Sequence, residues 1–305
     1  MCGIAAFFTK SPAYESRLGE LFVPMLDCLT GRGPDSAGFA IYRAPAAAGS
    51  TKVVAHHSSP GYDWKSYFSK VGKLESMNVI STHALAHVSG EPETLRAAAE
   101  AADPAVTLMS VGSTMEIYKE MGLPCKVMAQ FKLGSAKGSH AIGHTRMATE
   151  SAVTTAGSHP FSTGMDLCLV HNGSLSNHNR LRRNLEREGI NFRTDNDSEV
   201  AAGYLAWRLR QGDTLENSLK GALRDLDGFF TFAIGTKDGF AVLRDPIACK
   251  PAILAETDDY VAMASEYRAL VHLPGIENAR IWEPEPARIY TWSKAESNLE
   301  LKIAQ

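Results

Sequence analysis

The sequence predicts an α+β fold in which packed antiparallel sheets are flanked by helices. Three observations carry that expectation. Short apolar segments of strand length recur along the chain. Helical patterns arrive in blocks instead of alternating one for one with strands. No repeat or low-complexity tract interrupts the pattern.

Taken in order, residues 4–8 are an unbroken apolar run and read as a buried strand. Residues 15–29 read as a helix, because Leu18, Leu21, Phe22, Met25, Leu26 and Leu29 recur at helical spacing. A Gly/Pro/Asp turn at 31–35 ends it, and residues 38–42 read as a second strand. The stretch 44–139 mixes Ala- and Gly-rich sequence with helical patterns at 92–102 and 115–131 and a strand at 79–87. From 141 onward the rhythm tightens. Strands are expected at 141–146, 167–171, 229–235, 239–244, 252–254 and 261–264, and helices at 177–188, 197–210 and 215–226. The helix at 197 has a clear start, since Asp195, Asn196, Asp197, Ser198 and Glu199 supply capping oxygens and first-turn negative charge.

Composition excludes several classes. The chain of 305 residues is 44% hydrophobic and 21% charged with a formal net charge of −3, so no basic excess points to nucleic acid or to an anionic membrane surface. The apolar start is too short for a signal peptide, and no stretch approaches the ~20 apolar residues of a membrane helix. A cytoplasmic location is expected. The five cysteines (Cys2, Cys28, Cys125, Cys168 and Cys249) form no C-x-x-C, which argues against a zinc or iron–sulfur site. Four are expected to be inert and partly buried. Neither a phosphate-binding G-x-x-x-x-G-K-[ST] nor a dinucleotide G-x-G-x-x-G is present.

Cys2 is the distinctive cysteine. Removal of Met1 would leave a thiol and a free α-amine on one residue, with unperturbed pKa values of ~8.5 and ~8. Such a pair can attack an amide and then protonate the departing nitrogen. Alone, it could equally be a small cysteine in a first strand. Five further segments follow it: Arg32-Gly33-Pro34-Asp35-Ser36-Ala37-Gly38, Gly143 to Thr149 with Arg146 at its centre, His171-Asn172-Gly173, Asp197-Ser198-Glu199, and Arg244-Asp245-Pro246 with Lys250-Pro251.

In this order, behind Cys2-Gly3-Ile4, these segments resemble the class II (N-terminal nucleophile) glutamine amidotransferase domain. The resemblance covers residues 2–38 and about 141–269. It implies a four-layer αββα sandwich of two antiparallel sheets, a single domain over 1–305, and an insertion at about 44–139. It also implies that Cys2 is the nucleophile, that Asn172 and Gly173 form the oxyanion hole, and that Arg32 and Gly33 position the Cys2 backbone. Arg146 is similar to the arginine that binds the substrate carboxylate, a task suited to a planar guanidinium. Thr149 adds a hydroxyl contact. Asp197 matches the acid that receives the substrate ammonium, although a helix N-cap explains it equally well and one carboxylate can do both. For Asn172-Gly173 the competing reading is a type I′ hairpin turn, but the weak strand pattern of the following Ser-Leu-Ser-Asn favours the oxyanion role.

Other residues carry less. His83 and His87 share a strand face, but no further ligand cluster is evident and no metal is expected. The chemistry needs no metal or organic cofactor. His144 and His171 flank the motifs and are read as orienting or core residues, because the α-amine takes the base role. Arg244-Asp245-Pro246 is read as a structural turn with an ion pair. Three features depart from the family pattern: Met147 after Arg146, Glu150 after Thr149, and Cys249 where a glycine is expected before Lys250. An acid beside a carboxylate site is unfavourable unless it points away.

The long link between Arg32 and Arg146 resembles the free-standing amidotransferase subunit of glutamate-synthase-like systems, N-methylglutamate synthase among them. Too few residues follow Tyr290 for an acceptor domain, so a separate synthase subunit, flavin-bearing if the analogy holds, is the expected partner. The alternatives are an independent γ-glutamyl amidase and a non-catalytic glutamine-sensing assembly subunit.

Overall fold

The computed structural model describes residues 2–148 and 152–294. Strands in the first half are β1 (Gly3–Thr9), β2 (Ser36–Tyr42), β3 (Ser50–His56), β4 (Lys73–Ile80), β5 (His83–Ser89), β6 (Thr107–Gly112), β7 (Met115–Met121) and β8 (His140–Arg146). Those that follow are β9 (Phe161–Gly164), β10 (Leu167–Leu175), β11 (Gly228–Thr236), β12 (Gly239–Arg244), β13 (Ile253–Glu256), β14 (Tyr260–Ala264), β15 (Arg280–Trp282) and β16 (Ile289–Ser293). The helices are α1 (Pro12–Glu15), α2 (Leu18–Cys28), α3 (Trp64–Val71), α4 (Pro92–Ala102), α5 (Pro124–Gln130), α6 (His178–Arg187), α7 (Asp197–Arg210) and α8 (Leu215–Asp225). None of them is long and apolar enough to cross a membrane.

Three antiparallel sheets result. A seven-stranded sheet runs β15-β13-β14-β1-β8-β2-β7, a five-stranded sheet β16-β12-β11-β10-β9, and a four-stranded sheet β4-β5-β3-β6. One core joins the first two: between the sheets Phe8 packs on Phe240 and Tyr42 on Cys168, while Phe39 turns to the outer face against Phe131, where α2 and α5 seal the sheet through Phe22, Leu26 and Met128. Leu169, Phe232 and Leu243 point the other way, into a second core formed with α6, α7 and α8. The sandwich is therefore helix, sheet, sheet, helix, as alternating side chains on strands buried on both faces require. The four-stranded sheet has its own smaller core, in which Trp64, Phe68 and Leu95 of α3 and α4 cover Val53 and Val88.

Several local expectations need correction. Residues 115–131 are not one helix. β7 pairs with β2 along its length, Gly122 turns at φ +114°, and only then does α5 start, with proline in its first turn. Residues 79–87 are two strands of a hairpin, reversed at Ser81 in the left-handed region (φ +56°) without the usual Gly or Asn signal. The helix expected at 15–29 breaks at Ser16 and Arg17 between α1 and α2. β10 continues through Asn172-Gly173 to Leu175, paired with β11 throughout, so these residues are not a hairpin turn. Cys125 and Cys249 are exposed, contrary to the expectation of partial burial, and Cys168 is fully buried. In the Arg244–Pro251 turn the glycine-like backbone belongs to Ala248 (φ +52°), not to Cys249. Arg244 pairs with Glu283 at 3.8 Å, while the Asp245 carboxylate accepts the backbone N–H groups of Phe230, Ile247 and Ala248.

Candidate active site

Cys2 lies immediately before β1, where Gly3 is opposite Thr145 of β8. The register places the sulfur against the end of β8: the Met147 N–H donates to Cys2 Sγ at 3.4 Å, and the thiol lies 3.6 Å from Met147 O. Met147 thus meets the cysteine through its backbone, which makes its departure from the family pattern less consequential. The Cys2 carbonyl accepts Arg32 Nε at 2.8 Å, and Arg32 Nη1 is braced by Glu266 Oε1 at 2.7 Å. Hydrogen bonding to Arg32 holds the Glu266 carboxyl below its ordinary pKa. Gly33 packs so close to β8 that a Cβ would lie 2.3 Å from the Thr145 carbonyl carbon. Any side chain there would push the Arg32 turn away from Cys2.

Asn172 approaches from the other sheet. Its Nδ2 donates to Cys2 O at 3.3 Å and to Ser265 Oγ at 3.2 Å. Ser265 in turn accepts the Ile4 N–H at 2.9 Å, which locks the second sheet to the start of β1. The amide orientation is set by His144, whose Nε2 lies 3.1 Å from Asn172 Oδ1 and 3.2 Å from the His171 carbonyl. Both neighbours are acceptors, so Nε2 carries the proton and the Asn172 NH₂ must face Cys2. Burial pushes the His144 pKa down to about 3, keeping it a neutral donor. Sequence reasoning placed His144 only as an orienting or core residue; nothing in the chain pointed to Asn172 as what it orients, because the two meet across sheets.

Gly173 has φ +150°, and a Cβ there would meet Phe229 O at 2.0 Å and His171 Nε2 at 2.6 Å. No side chain fits. His171, fully buried beneath it, is pushed below its ordinary pKa by burial, and its Nδ1 lies 2.8 Å from Ser198 Oγ.

Asp197 opens α7, but it is not the cap. Asn196 is the N-cap residue and accepts the Ser198 N–H, whereas Asp197 Oδ2 accepts the Leu175 N–H at 2.8 Å, tying the helix to β10. Its carboxylate is partly exposed, next to the Asn172-Gly173 strand. Arg146, 6% exposed, ends β8 opposite Ser36, and its Nη1 donates to Ala152 O at 3.4 Å. Asp35 clamps that strand end twice, donating its N–H to Arg146 O and accepting the Ala148 N–H. Thr149 and Glu150 lie outside the described residues. The structure thus draws Cys2, Arg32, Gly33, Asn172 and the backbone of Met147 into one contact network, with Arg146 and Asp197 on the elements that border it.

Residues 144–272 match the model of a family described as a glutamine amidotransferase domain. The chain is 56% identical over 296 residues to the glutamine amidotransferase-like protein GlxB of Rhizobium meliloti (strain 1021), covering 96% of this chain and 98% of that protein. It is 31% identical over 176 residues to an amidophosphoribosyltransferase of Methanothermobacter thermautotrophicus, covering 57% of this chain and 37% of that one. The fold is similar to the solved glutamine phosphoribosylpyrophosphate amidotransferase from B. subtilis, with a TM-score of 0.63 and 21% identity. This chain spans 49% of that structure's length. The chain belongs to the glutamine amidotransferases and is an enzyme of that family, and its fold is that of the class II, N-terminal nucleophile members. Glutamine is the substrate the family implies.

Proposed function

We propose that the chain is the glutaminase subunit of a larger amidotransferase, with Cys2 exposed as the first residue after removal of Met1. The Cys2 thiolate attacks the glutamine side-chain carbonyl, and its own α-amine acts as the base. The Asn172 side chain and the Gly173 N–H hold the tetrahedral oxyanion; one such donor is worth ~3 kcal/mol of transition-state stabilisation. The amine then protonates the leaving nitrogen, ammonia departs, and water hydrolyses the γ-glutamyl thioester to glutamate. Arg146 and Thr149 grip the substrate carboxylate, Asp197 its ammonium, and Arg32 and Gly33 hold the Cys2 backbone.

The observation that carries this reading is the convergence on Cys2: a backbone N–H on the sulfur, with Arg32 and Asn172 both on the carbonyl. Both Asn172 protons are engaged in this state. The longer contact, to Cys2 O at 3.3 Å, is the one to yield when an oxyanion forms. Treatment with diazo-oxo-norleucine followed by intact-mass and peptide mapping tests it: one glutamine-derived adduct on a Cys2 terminus supports the reading, and an unlabelled terminal sulfur ends it.

The ammonia is passed to a separate, glutamate-synthase-like synthase subunit in the cytoplasm, N-methylglutamate synthase being the model. Residues 44–139 are an insertion that docks or gates this partner. Because β7 and α5 inside that stretch belong to the main core, the deletion that tests this removes only the four-stranded sheet. A normal complex on size-exclusion chromatography after that deletion counts against docking. Copurification of a flavin-bearing chain supports the partner.

A further inference from the structure

A second cluster of chemically competent side chains lies where the four-stranded sheet meets the seven-stranded one. His56 ends β3 and His83 opens β5, directly opposite each other in the antiparallel register. Their ring centroids are 4.9 Å apart. Glu120, near the end of β7, adds a carboxylate, and one ligand-capable atom from each of the three residues lies within 4.8 Å of the others. We propose that His56, His83 and Glu120 form a binding site for a divalent transition-metal ion of the zinc class.

Two imidazoles and one carboxylate are a donor set that such ions accept, with a fourth position left for water or another ligand. Metal binding needs imidazole lone pairs that are not protonated. His83 is fully buried and pushed well below its ordinary pKa by desolvation, and burial also lowers half-buried His56. His83 Nε2 is buried with no hydrogen-bond partner among the described residues. The Glu120 carboxylate has room as well. Oε1 accepts the Met121 N–H and the Thr155 hydroxyl, and Oε2 accepts Thr82 Oγ1 at 3.1 Å. A carboxylate offers about four lone-pair sites, so one remains for a metal. Thr82 Oγ1 also lies 3.2 Å from His83 Nδ1, the kind of outer hydrogen bond that orients a ligating ring. Lys119 is the opposing charge; its ammonium is held by the carbonyls of Ala156, Ser158 and Pro160, and burial lowers its pKa to about 7.

His87, on the same strand as His83, takes no part; it pairs in register with Lys52 and Ser76. A sequence reading that joined His83 to His87 by spacing would look at the wrong pair. The true neighbours come from β3 and β7.

The test uses the untagged full chain carrying Cys2→Ala, so that the terminal thiol and amine cannot chelate. It is titrated with Co²⁺ and read by visible absorption. The expected result is one equivalent bound, with ligand-field bands of a nitrogen–oxygen site and no sulfur-to-metal charge transfer. His56→Ala and Glu120→Gln, both at half-buried positions, should each weaken binding by more than about 100-fold, since even an outer partner is worth 10–100-fold. His87→Ala should leave it unchanged. Absence of bound Co²⁺ in the parent, binding that survives both ligand substitutions, or binding lost with His87→Ala would overturn the assignment.

Discussion

β1 and β4 are of similar length, seven and eight residues, yet they live in opposite surroundings. Every residue of β1 is buried, with strands on both sides and packed layers above and below. No residue of β4 is fully buried; it is an edge strand of the four-stranded sheet. The difference shows where this fold can hold chemistry. A cysteine at the head of β1 inherits the position of a strand that cannot move without disturbing two sheets. A residue on β4 inherits almost no such constraint.

The largest test of that contrast is Cys2→Ala. It should reduce glutamine-dependent ammonia release to background while leaving the unfolding midpoint and ammonia-dependent synthesis by the assembled complex intact; loss of both activities with assembly preserved would contradict channelling. Next is Phe7→Ala, which opens a cavity inside this enclosed strand and should cost ~3–5 kcal/mol in denaturant unfolding. Asn172→Ala should lower kcat by ~10²–10³ by removing a donor beside the nucleophile, and, because Asn172 is buried and partners His144, Ser265 and Cys2, should cost ~1–3 kcal/mol of stability. A kcat within about threefold of the parent would remove Asn172 from the oxyanion role.

Acid should then act on the enclosed region. His140 and His144 are held at about 3 by burial, and His83 and His159 are shifted in the same direction. Unfolded imidazole takes up a proton below ~6.5, whereas the native groups do not until far lower, so the unfolded chain binds more protons across that window. Stability should therefore fall as pH drops from ~6.5 toward 3, by ~1.4 kcal/mol per pH unit for each such histidine. Denaturant midpoints that stay flat between neutrality and pH ~5 would show that these rings are solvated. The smallest effect is expected on β4: Val79→Thr, at an exposed position, should change stability by no more than ~0.5 kcal/mol.

Much of the scaffold was legible because strand burial writes itself into composition. The apolar runs of β1, β11 and β12 need no tertiary context to be read. The 92–102 helix announced itself through proline in its first turn and spaced apolar residues. Elements failed to show where local pattern was ambiguous. Met115, Ile117 and Tyr118 satisfy a helical period as well as a strand's, and pairing with β2 decides between them. The turn at Ser81 lacks the glycine or asparagine that usually marks a left-handed position, and the alignment of β4 with β5 supplies what the chain does not.

The chain by itself determined that a cysteine stands directly behind Met1, the apolar strands that follow it, and the order of the segments that resemble the amidotransferase family. Those are properties of residue type and spacing along a line. Only tertiary structure decided that His144 orients Asn172, that Met147 meets Cys2 through its backbone, that Asn196 and not Asp197 caps α7, and that His56 and Glu120, not His87, gather around His83. Each of these depends on distances across strands from different parts of the chain, and such distances are set by sheet register and layer packing.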